Sequence, residues 1–297
     1  MNVVEVSGVS KSFKSVKVVD NVSFTIGQSE IFGMVGPNGA GKTTIIRMLM
    51  DIIKPDSGEI KILGEPINEE VKNRIGYLPE ERGLYKKLTV SQSLSYLAAL
   101  KNMKKPLAST RAEELLKRVN MLPHKDKKTE ELSHGMGQLI QFVATILHSP
   151  DLVVFDEPFA ALDPVNTQLL KELILEQRSQ GKSVILSTHM MNQVEELCDR
   201  ILMINKGQGV LYGSLAEIKS RYRNNSVFLE CDRLPDGLPG VVGSKAHGKY
   251  TEIFLDGRIS PQEILSTLIN KGVKVDRFEV STPSLNEIFI QVVKEGR

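Results

Sequence analysis

The eight residues GPNGAGKT, Gly36 to Thr43, constrain this chain more than any other stretch. They follow IFGMVG (31–36), a short apolar run ending in glycine that reads as a buried strand. They lead into TTIIRMLMDII (43–53), apolar enough for a packed helix. A G-x-x-x-x-G-K-T spacing between a strand and a helix is the setting in which backbone N–H groups cradle phosphate oxygens. Glycine suits it because a Cβ would hold the backbone away from the anion. The helix that follows adds the positive end of its dipole. In this reading Lys42 reaches the β- and γ-phosphates of a nucleotide, and Thr43 offers its hydroxyl to Mg²⁺. The bland alternative is a glycine turn before a helix, and the strand–loop–helix context argues against it.

Two further stretches gain meaning beside that loop. LVVFDEP (152–158) is an apolar strand that ends in two acidic residues. Alone it would read as a strand running into a solvated turn. In an open α/β sheet, however, ligands bind at the carboxyl ends of the strands. Asp156 is then expected to hold Mg²⁺, directly or through water, and Glu157 to act as general base on the attacking water. Ser187-Thr188-His189 ends the next apolar strand, SVILST (183–188), which brings His189 within reach of a γ-phosphate.

Strand and helix signals alternate along most of the chain, which predicts an α/β layered fold with a largely parallel sheet. Residues 2–7, 18–26 and 59–64 read as further strands. From about 86 to 131 the chain turns helical and rich in lysine. Thr89 with Gln92, and Thr110 with Glu113, have the spacing of capping boxes. The lysines at 101–105 and 125–128 read as a solvated face. Asp163 and Pro164 form an N-cap and first helical residue, and the helix runs to about Gln180 before Gly181. A helix from His189 to Cys198 and a hairpin of 200–205 with 210–213 follow. After Ile218 the pattern changes to β-β-α-β-α over about 80 residues, with strands at 226–231, 250–255 and 273–280. Ser260-Pro261 caps its first helix, and 282–293 forms the closing one. The boundary is expected near 216–225.

Composition excludes several classes. The net charge is only +2, and aromatic residues make up 5% with no tryptophan, which argues against nucleic-acid binding. Cys198 and Cys231 stand alone in 297 residues and suggest buried thiols in a reducing compartment. The N-terminus has no secretory pattern, and no apolar run approaches the roughly 20 residues of a spanning helix. His247, in a turn of the GKY type, is expected to be solvated and to bind no metal.

GPNGAGKTT, LSHGM, VVFDEP, ALDP and STH stand in the order seen in ABC-type ATPases, and the chain resembles that family over about residues 3 to 215. The resemblance implies a P-loop NTPase fold with a helical subdomain (about 86–140), followed by a small α+β C-terminal domain (216–297). It implies ATP as the nucleotide, held by Gly36, Pro37, Asn38, Gly39, Ala40, Gly41, Lys42, Thr43 and Thr44. It casts Lys42, Glu157 and His189 as the catalytic residues, Phe13 as the adenine stack, and Asp163 as part of a loop crossing a dimer interface. In the family, Leu-Ser-Gly-Gly-Gln completes the nucleotide site of a second subunit. Here Ser133, Gly135 and Met136 occupy the matching places, and His134 and Met136 depart from the pattern. Met136 loses an amide hydrogen bond of about 1 kcal/mol, while the helix N-terminus and the Ser133 hydroxyl remain. Glu80 replaces a glutamine that ligates Mg²⁺; a carboxylate oxygen can do so as well.

LPEERGLY and the ending TPSLNEIFIQVV resemble the ATPase subunits of bacterial ABC exporters of the sodium-efflux type. That implies an ATP-hydrolysing subunit that powers a separate multi-spanning membrane permease docked near residues 76–105. It would work as a homodimer or with a related ATPase, in the cytoplasm on the inner face of the membrane. The cargo, sodium or drug-type, and the direction of transport are not written in this chain. Two rival readings stand beside it. One is a soluble ABC-type ATPase of translation or repair, against which stand the single phosphate loop and the lack of a long heptad insertion. The other is a weakly hydrolysing regulatory module, motivated by Met136 and Glu80.

Overall fold

The computed structural model describes residues 2–81, 83–160, 162–222, 225–235 and 237–295. Arg82 of LPEERGLY, Ala161 of ALDP, and Arg223 and Asn224 at the expected boundary lie outside them. The chain divides into two compact units, Met1–Leu215 with Val292–Arg297, and Ala216–Gln291.

The first unit opens with two long strands, β1 (Asn2–Phe13) and β2 (Val16–Gly27). Their alternating apolar residues, among them Val4, Val6, Phe24 and Ile26, turn into one core. β3 (Ile31–Val35) is buried at every position, as its continuous apolar run requires. α1 (Lys42–Leu49) starts directly from the glycine-rich loop. It stops short of the expected residue 53, because Asp51 takes a left-handed backbone (φ 59°) and the Ile52 N–H turns back to the Arg47 carbonyl. β4 (Ser57–Ile62), β5 (Glu65–Pro66), α2 (Glu69–Asn73) and β6 (Ile75–Leu78) follow.

The helical stretch contains α3 (Val90–Leu100), α4 (Lys105–Arg118) and α5 (His134–Ile146). The Thr89–Gln92 capping box forms as expected. The one at Thr110 does not. α4 begins earlier, where the fixed φ of Pro106 suits a first turn, and Thr110 lies inside the helix with its hydroxyl donating to the Pro106 carbonyl at 3.2 Å. The unit continues with β7 (Leu152–Asp156), α6 (Pro164–Ser179), β8 (Ser183–Thr188), α7 (Met191–Leu197), β9 (Arg200–Asn205) and β10 (Gln208–Ser214); α8 (Leu215–Arg221) follows, and from Ala216 on it belongs to the second unit. α7 starts two residues after His189, which leaves that side chain on the connecting turn.

Among the described residues, these strands form two sheets, an antiparallel one in the order β2-β1-β4-β5 and a second in the order β10-β9-β3-β8-β7-β6. β9, β3, β8, β7 and β6 run parallel, and β10 pairs antiparallel at the edge. The register is what makes a site. Val35 at the end of β3 pairs with Thr188 at the end of β8, and Asp156 at the end of β7 pairs with Ser187. Three strand ends therefore meet beside the glycine-rich loop. Phe142 of α5 stacks on Phe155 of β7, with ring centroids 5.1 Å apart, and both rings are fully buried. Burial of such a side chain contributes about 2–3 kcal/mol, so α5 is firmly seated on β7.

The second unit holds β11 (Ser226–Cys231), β12 (Val241–His247), β13 (Tyr250–Leu255), α9 (Pro261–Asn270), β14 (Val275–Val280) and the start of α10 (Leu285–Lys294). The strands form an antiparallel sheet, β12-β13-β11-β14, over a core that includes Val227, Leu229, Ile253, Ile264 and Leu268. β12 was not anticipated: VVGSKAH is half exposed and carries Gly, Ser and Lys, which blur a strand pattern. His247 is not simply solvated. Its Nε2 lies 3.2 Å from the Glu252 carboxylate, and its ring stacks on Tyr250. Cys198 is buried as expected, whereas Cys231 is only half-buried on its small sheet.

Candidate functional site

The glycine-rich loop has the backbone that its sequence requires. A Cβ on Gly36 would lie 2.2 Å from the Ile204 carbonyl oxygen of β9, and one on Gly41 (φ 109°) would lie 2.8 Å from that of Val18. Only glycine lets the loop pass that close. It wraps a cavity of about 310 Å³ whose wall includes Asn38, Gly39, Ala40, Gly41, Thr43 and Thr44 from the loop and α1. Val18, Glu80 and Glu157 complete the wall.

Lys42 is buried, and its ammonium donates to the carbonyls of Gly36 (2.8 Å) and Pro37 (3.2 Å) and lies 3.9 Å from Glu157. Burial lowers its pKa, and the carboxylates of Glu157, Asp156 and Glu80 oppose the fall. The ammonium is thus held inside the loop's curve by two weakly charged oxygens, ready to be taken over by an anion.

Asp156 is 0% exposed, and neither carboxylate oxygen has a partner in hydrogen-bonding geometry; the Ser187 hydroxyl beside it is also unpaired. Burial raises its pKa. The nearby Ser187 and Thr43 hydroxyls partly offset that rise, while the charges of Glu80 and Glu157 add to it. A buried, unpaired carboxylate next to hydroxyls is what a hard cation would satisfy. Among the described residues no three His, Cys, Asp or Glu side chains gather into a cage. The donors at hand, Asp156, Thr43 and Glu80, are all oxygen and few. They fit Mg²⁺, which keeps water and phosphate oxygens in its shell rather than an all-protein one.

Glu157 stands at φ 50°, left-handed for a residue with a side chain, and its N–H donates to the Ser187 carbonyl. Its Oε2 accepts from the Thr188 hydroxyl at 3.0 Å. Its Oε1 accepts from the His189 backbone N–H at 3.0 Å and lies 3.0 Å from His189 Nδ1. A carboxylate can only accept, so Nδ1 carries the hydrogen and Nε2 is free to face a ligand. Thr188 stood in plain view within STH, but its grip on Glu157 depends on the β7–β8 register and was not anticipated. Val18 likewise reaches the cavity only through the approach of β2 to the loop.

The remaining sequence-selected residues lie elsewhere on the first unit. Ser133 caps α5, accepting from the Met136 N–H at 3.3 Å, and with Gly135 and Met136 it stays outside the cavity lined by the loop. Asp163 caps α6 through the Asn166 N–H, and this hydrogen bonding holds its pKa below the usual carboxylate value. Phe13, at the end of β1, leaves its ring 47% exposed with Lys11 5.9 Å from its centre.

This arrangement defines a nucleotide-hydrolysing site of the phosphate-loop class. Residues 19–160 match the family described as ABC transporter, and residues 213–293 match one described as ATP-binding protein DrrA1-3-like, C-terminal domain. The chain is 40% identical over 288 residues to the uncharacterized ABC transporter ATP-binding protein YhaQ of Bacillus subtilis (strain 168), spanning 96% of each. It is 32% identical over 302 residues to the linearmycin resistance ATP-binding protein LnrL of the same strain, spanning 97% of each. With that strain's ABC transporter ATP-binding protein NatA it shares 34% identity over 218 residues, 72% of this chain and 89% of NatA. A solved ATP binding subunit of an ABC transporter superposes with a TM-score of 0.70 at 29% identity, covering 74% of this chain and 93% of that one. The chain belongs to the ATP-binding proteins of ABC transporters, and it is an ATP-hydrolysing subunit of such a transporter. Proteins of this family act with a membrane permease. Among the described residues no helix of this chain is long and apolar enough to cross a membrane.

Proposed function

We propose that two copies of this chain close on two molecules of Mg²⁺–ATP and drive a separate multi-spanning permease that exports its cargo. The observation that carries the reading is the pair of unmatched half-sites on one chain. The phosphate loop, Asp156 and Glu157 form one half, and the exposed N-terminus of α5 with Ser133, Gly135 and Met136 forms the other, outside that cavity. Two copies related by a twofold axis supply each half with its complement. The Ser133 oxygen already accepts from Met136, so its hydroxyl hydrogen remains available to a γ-phosphate oxygen, beside the helix's positive end. Because that cap uses the Met136 backbone, the loss of a side-chain amide at this position leaves the cap intact.

Within one site, Glu157 Oε2 accepts only from Thr188 and keeps a lone pair for a water proton. As the water oxygen attacks the γ-phosphorus, the bond to the bridging oxygen breaks and ADP leaves with that electron pair. Lys42 neutralises charge on the transferring group, and His189 directs Nε2 toward it. Bound Mg²⁺, on Asp156, Thr43 and Glu80, would neutralise the β- and γ-phosphate oxygens. Phe13 stacks on the adenine, and Asp163 lies at the subunit boundary. The contacts from Ser133 and the N-terminus of α5 to the γ-phosphate exist only in the closed pair, so hydrolysis releases it.

A groove of about 290 Å³ lined by Tyr77, Leu84, Leu97, Leu100, Gln141 and His148 supports docking of the permease on the helical stretch and β6. With the permease docked there, the chain works in the cytoplasm, on the inner face of the membrane. The match of residues 213–293 to the DrrA1-3-like domain, with the names of NatA and LnrL, supports a sodium or drug-type exporter. Phosphate release by the chain with its permease in vesicles tests the site. Glu157→Gln should bind ATP with near wild-type affinity and lose at least about 100-fold in turnover; normal turnover in that variant removes Glu157 from its role.

A further inference from the structure

Gln138 lies in α5, five residues beyond Ser133 and on the same helix. It is 3% exposed, and its Nε2 donates to the Pro158 carbonyl at 3.1 Å. Proline has no N–H, so that carbonyl is the only backbone polar group of the residue. The contact matters because of what precedes it. Glu157 holds a left-handed backbone (φ 50°), a conformation that persists in a side-chain-bearing residue only when its surroundings enforce it. On one side, β8 enforces it: the Glu157 N–H donates to the Ser187 carbonyl at 2.9 Å. On the other, the Ala160 N–H closes the turn onto the Glu157 carbonyl at 3.2 Å, and Gln138 fixes the Pro158 peptide inside that turn. The stacked Phe142 and Phe155 rings anchor α5 to β7 a turn further along, so the helix is rigid where Gln138 grips the loop.

We infer that Gln138 is a positioning residue, which transmits the placement of α5 to the Glu157 carboxylate of its own subunit. The inference rests on the reading of Glu157 as general base. It also links the two half-sites of one chain. The exposed end of α5 carries Ser133, Gly135 and Met136, so a nucleotide held there by a second subunit bears on the helix that fixes this subunit's base. Occupancy of one site is thereby felt at the carboxylate of the other.

Two substitutions test it in the full chain, assayed with its permease. Gln138→Met keeps the length and removes the donor. Turnover should fall about 10- to 100-fold, with KM and ATP affinity within about twofold, because the base is misplaced while the phosphate loop is untouched. Gln138→Glu keeps the shape but turns an acceptor toward the carbonyl. Burial raises the pKa of the introduced carboxyl. As pH falls through that value, the group gains a proton, donates again, and turnover relative to wild type climbs; the Gln138→Met ratio stays flat. Amide exchange supplies a readout independent of activity: the Ala160 N–H should exchange faster in Gln138→Met than in wild type, with β7 and β8 unchanged. Wild-type turnover and Ala160 protection in Gln138→Met would overturn the inference. So would an equal loss of affinity and turnover without acid recovery in Gln138→Glu, which marks a purely structural role. Glu157→Gln, run in parallel, separates the two failures. Full turnover there removes the base and this inference with it. Lost turnover there, beside wild-type turnover in Gln138→Met, overturns the inference alone.

Discussion

Asp156→Asn should stabilise the nucleotide-free protein while abolishing its response to Mg²⁺. Asp156 is fully buried with both carboxylate oxygens unpaired, and burial holds its pKa above the ordinary 3.8. The folded chain therefore holds that proton more tightly than the unfolded chain. The stability this lends is present below the unfolded pKa and is lost as pH rises through the folded one. Above both values the carboxylate is charged in both states, and the fold carries the whole desolvation cost. For an unsatisfied buried charged group that cost is about 2–3 kcal/mol. Asparagine removes the charge, and its amide can donate to the Ser187 and Thr43 hydroxyls. For a unit of this length, Met1–Leu215 with a short tail, each kcal/mol moves the melting temperature by about 2–4 °C. The variant should melt roughly 4–12 °C higher in EDTA at pH 7. That gap should close as the solution is made acidic. Scanning calorimetry in EDTA, in EDTA with ATP, and in Mg²⁺ with ATP gives the full comparison: wild type should gain further from the cation, and Asp156→Asn should not. A variant that melts at or below wild type in EDTA would refute the reasoning, since it would show the carboxylate to be satisfied by the fold itself.

Gly36→Ala should cost more than about 3 kcal/mol, because the new Cβ meets the Ile204 carbonyl at 2.2 Å and both partners are backbone. Soluble yield, melting temperature and ATP affinity should all fall together; normal values would mean that the loop runs elsewhere. His148 is pushed down to about 4 by burial, with Lys101 and Arg111 adding to the effect and the hydrogen bond to the Ile75 carbonyl opposing it. Its folded pKa lies below the unfolded 6.5, so it contributes stability that is present above 6.5 and lost as pH falls toward 4, about 3 kcal/mol in all. His148→Gln, which keeps a donor for Ile75, should flatten that acid limb in urea melts between pH 7 and 4; an unchanged slope would assign the limb to other groups.

The loop was legible because its glycines, lysine and threonine are close in sequence and each has one physical reason to be there. Asp156, Glu157 and His189 were legible for a similar reason: each ends an apolar run, and strand ends are where a parallel sheet binds ligands. What escaped was register. Gln138 and Pro158 lie 20 residues apart, and Thr188 and Glu157 lie 31 apart. Such pairs exist only once α5, β7 and β8 have packed. Local rules also competed with one another. Thr110 and Glu113 had the spacing of a cap, yet Pro106 began the helix a turn sooner. TTIIRMLMDII looked apolar to its end, but its last residues turn where Asp51 leaves the helix. In the second unit β12 has no alternation to read, and His247 gained Glu252 and Tyr250 as neighbours only through the β12–β13 pairing. The division of β1, β2, β4 and β5 into their own antiparallel sheet is likewise a matter of pairing that single-strand patterns do not carry.

Light scattering of purified Glu157→Gln, with and without Mg²⁺–ATP, tests most directly whether nucleotide is held between two chains. The mass should double when Mg²⁺–ATP is added, stay single without it, and stay single in Glu157→Gln that also carries Lys42→Met. Mass that remains single while ATP is demonstrably bound, with the permease absent or present, would contradict the shared site.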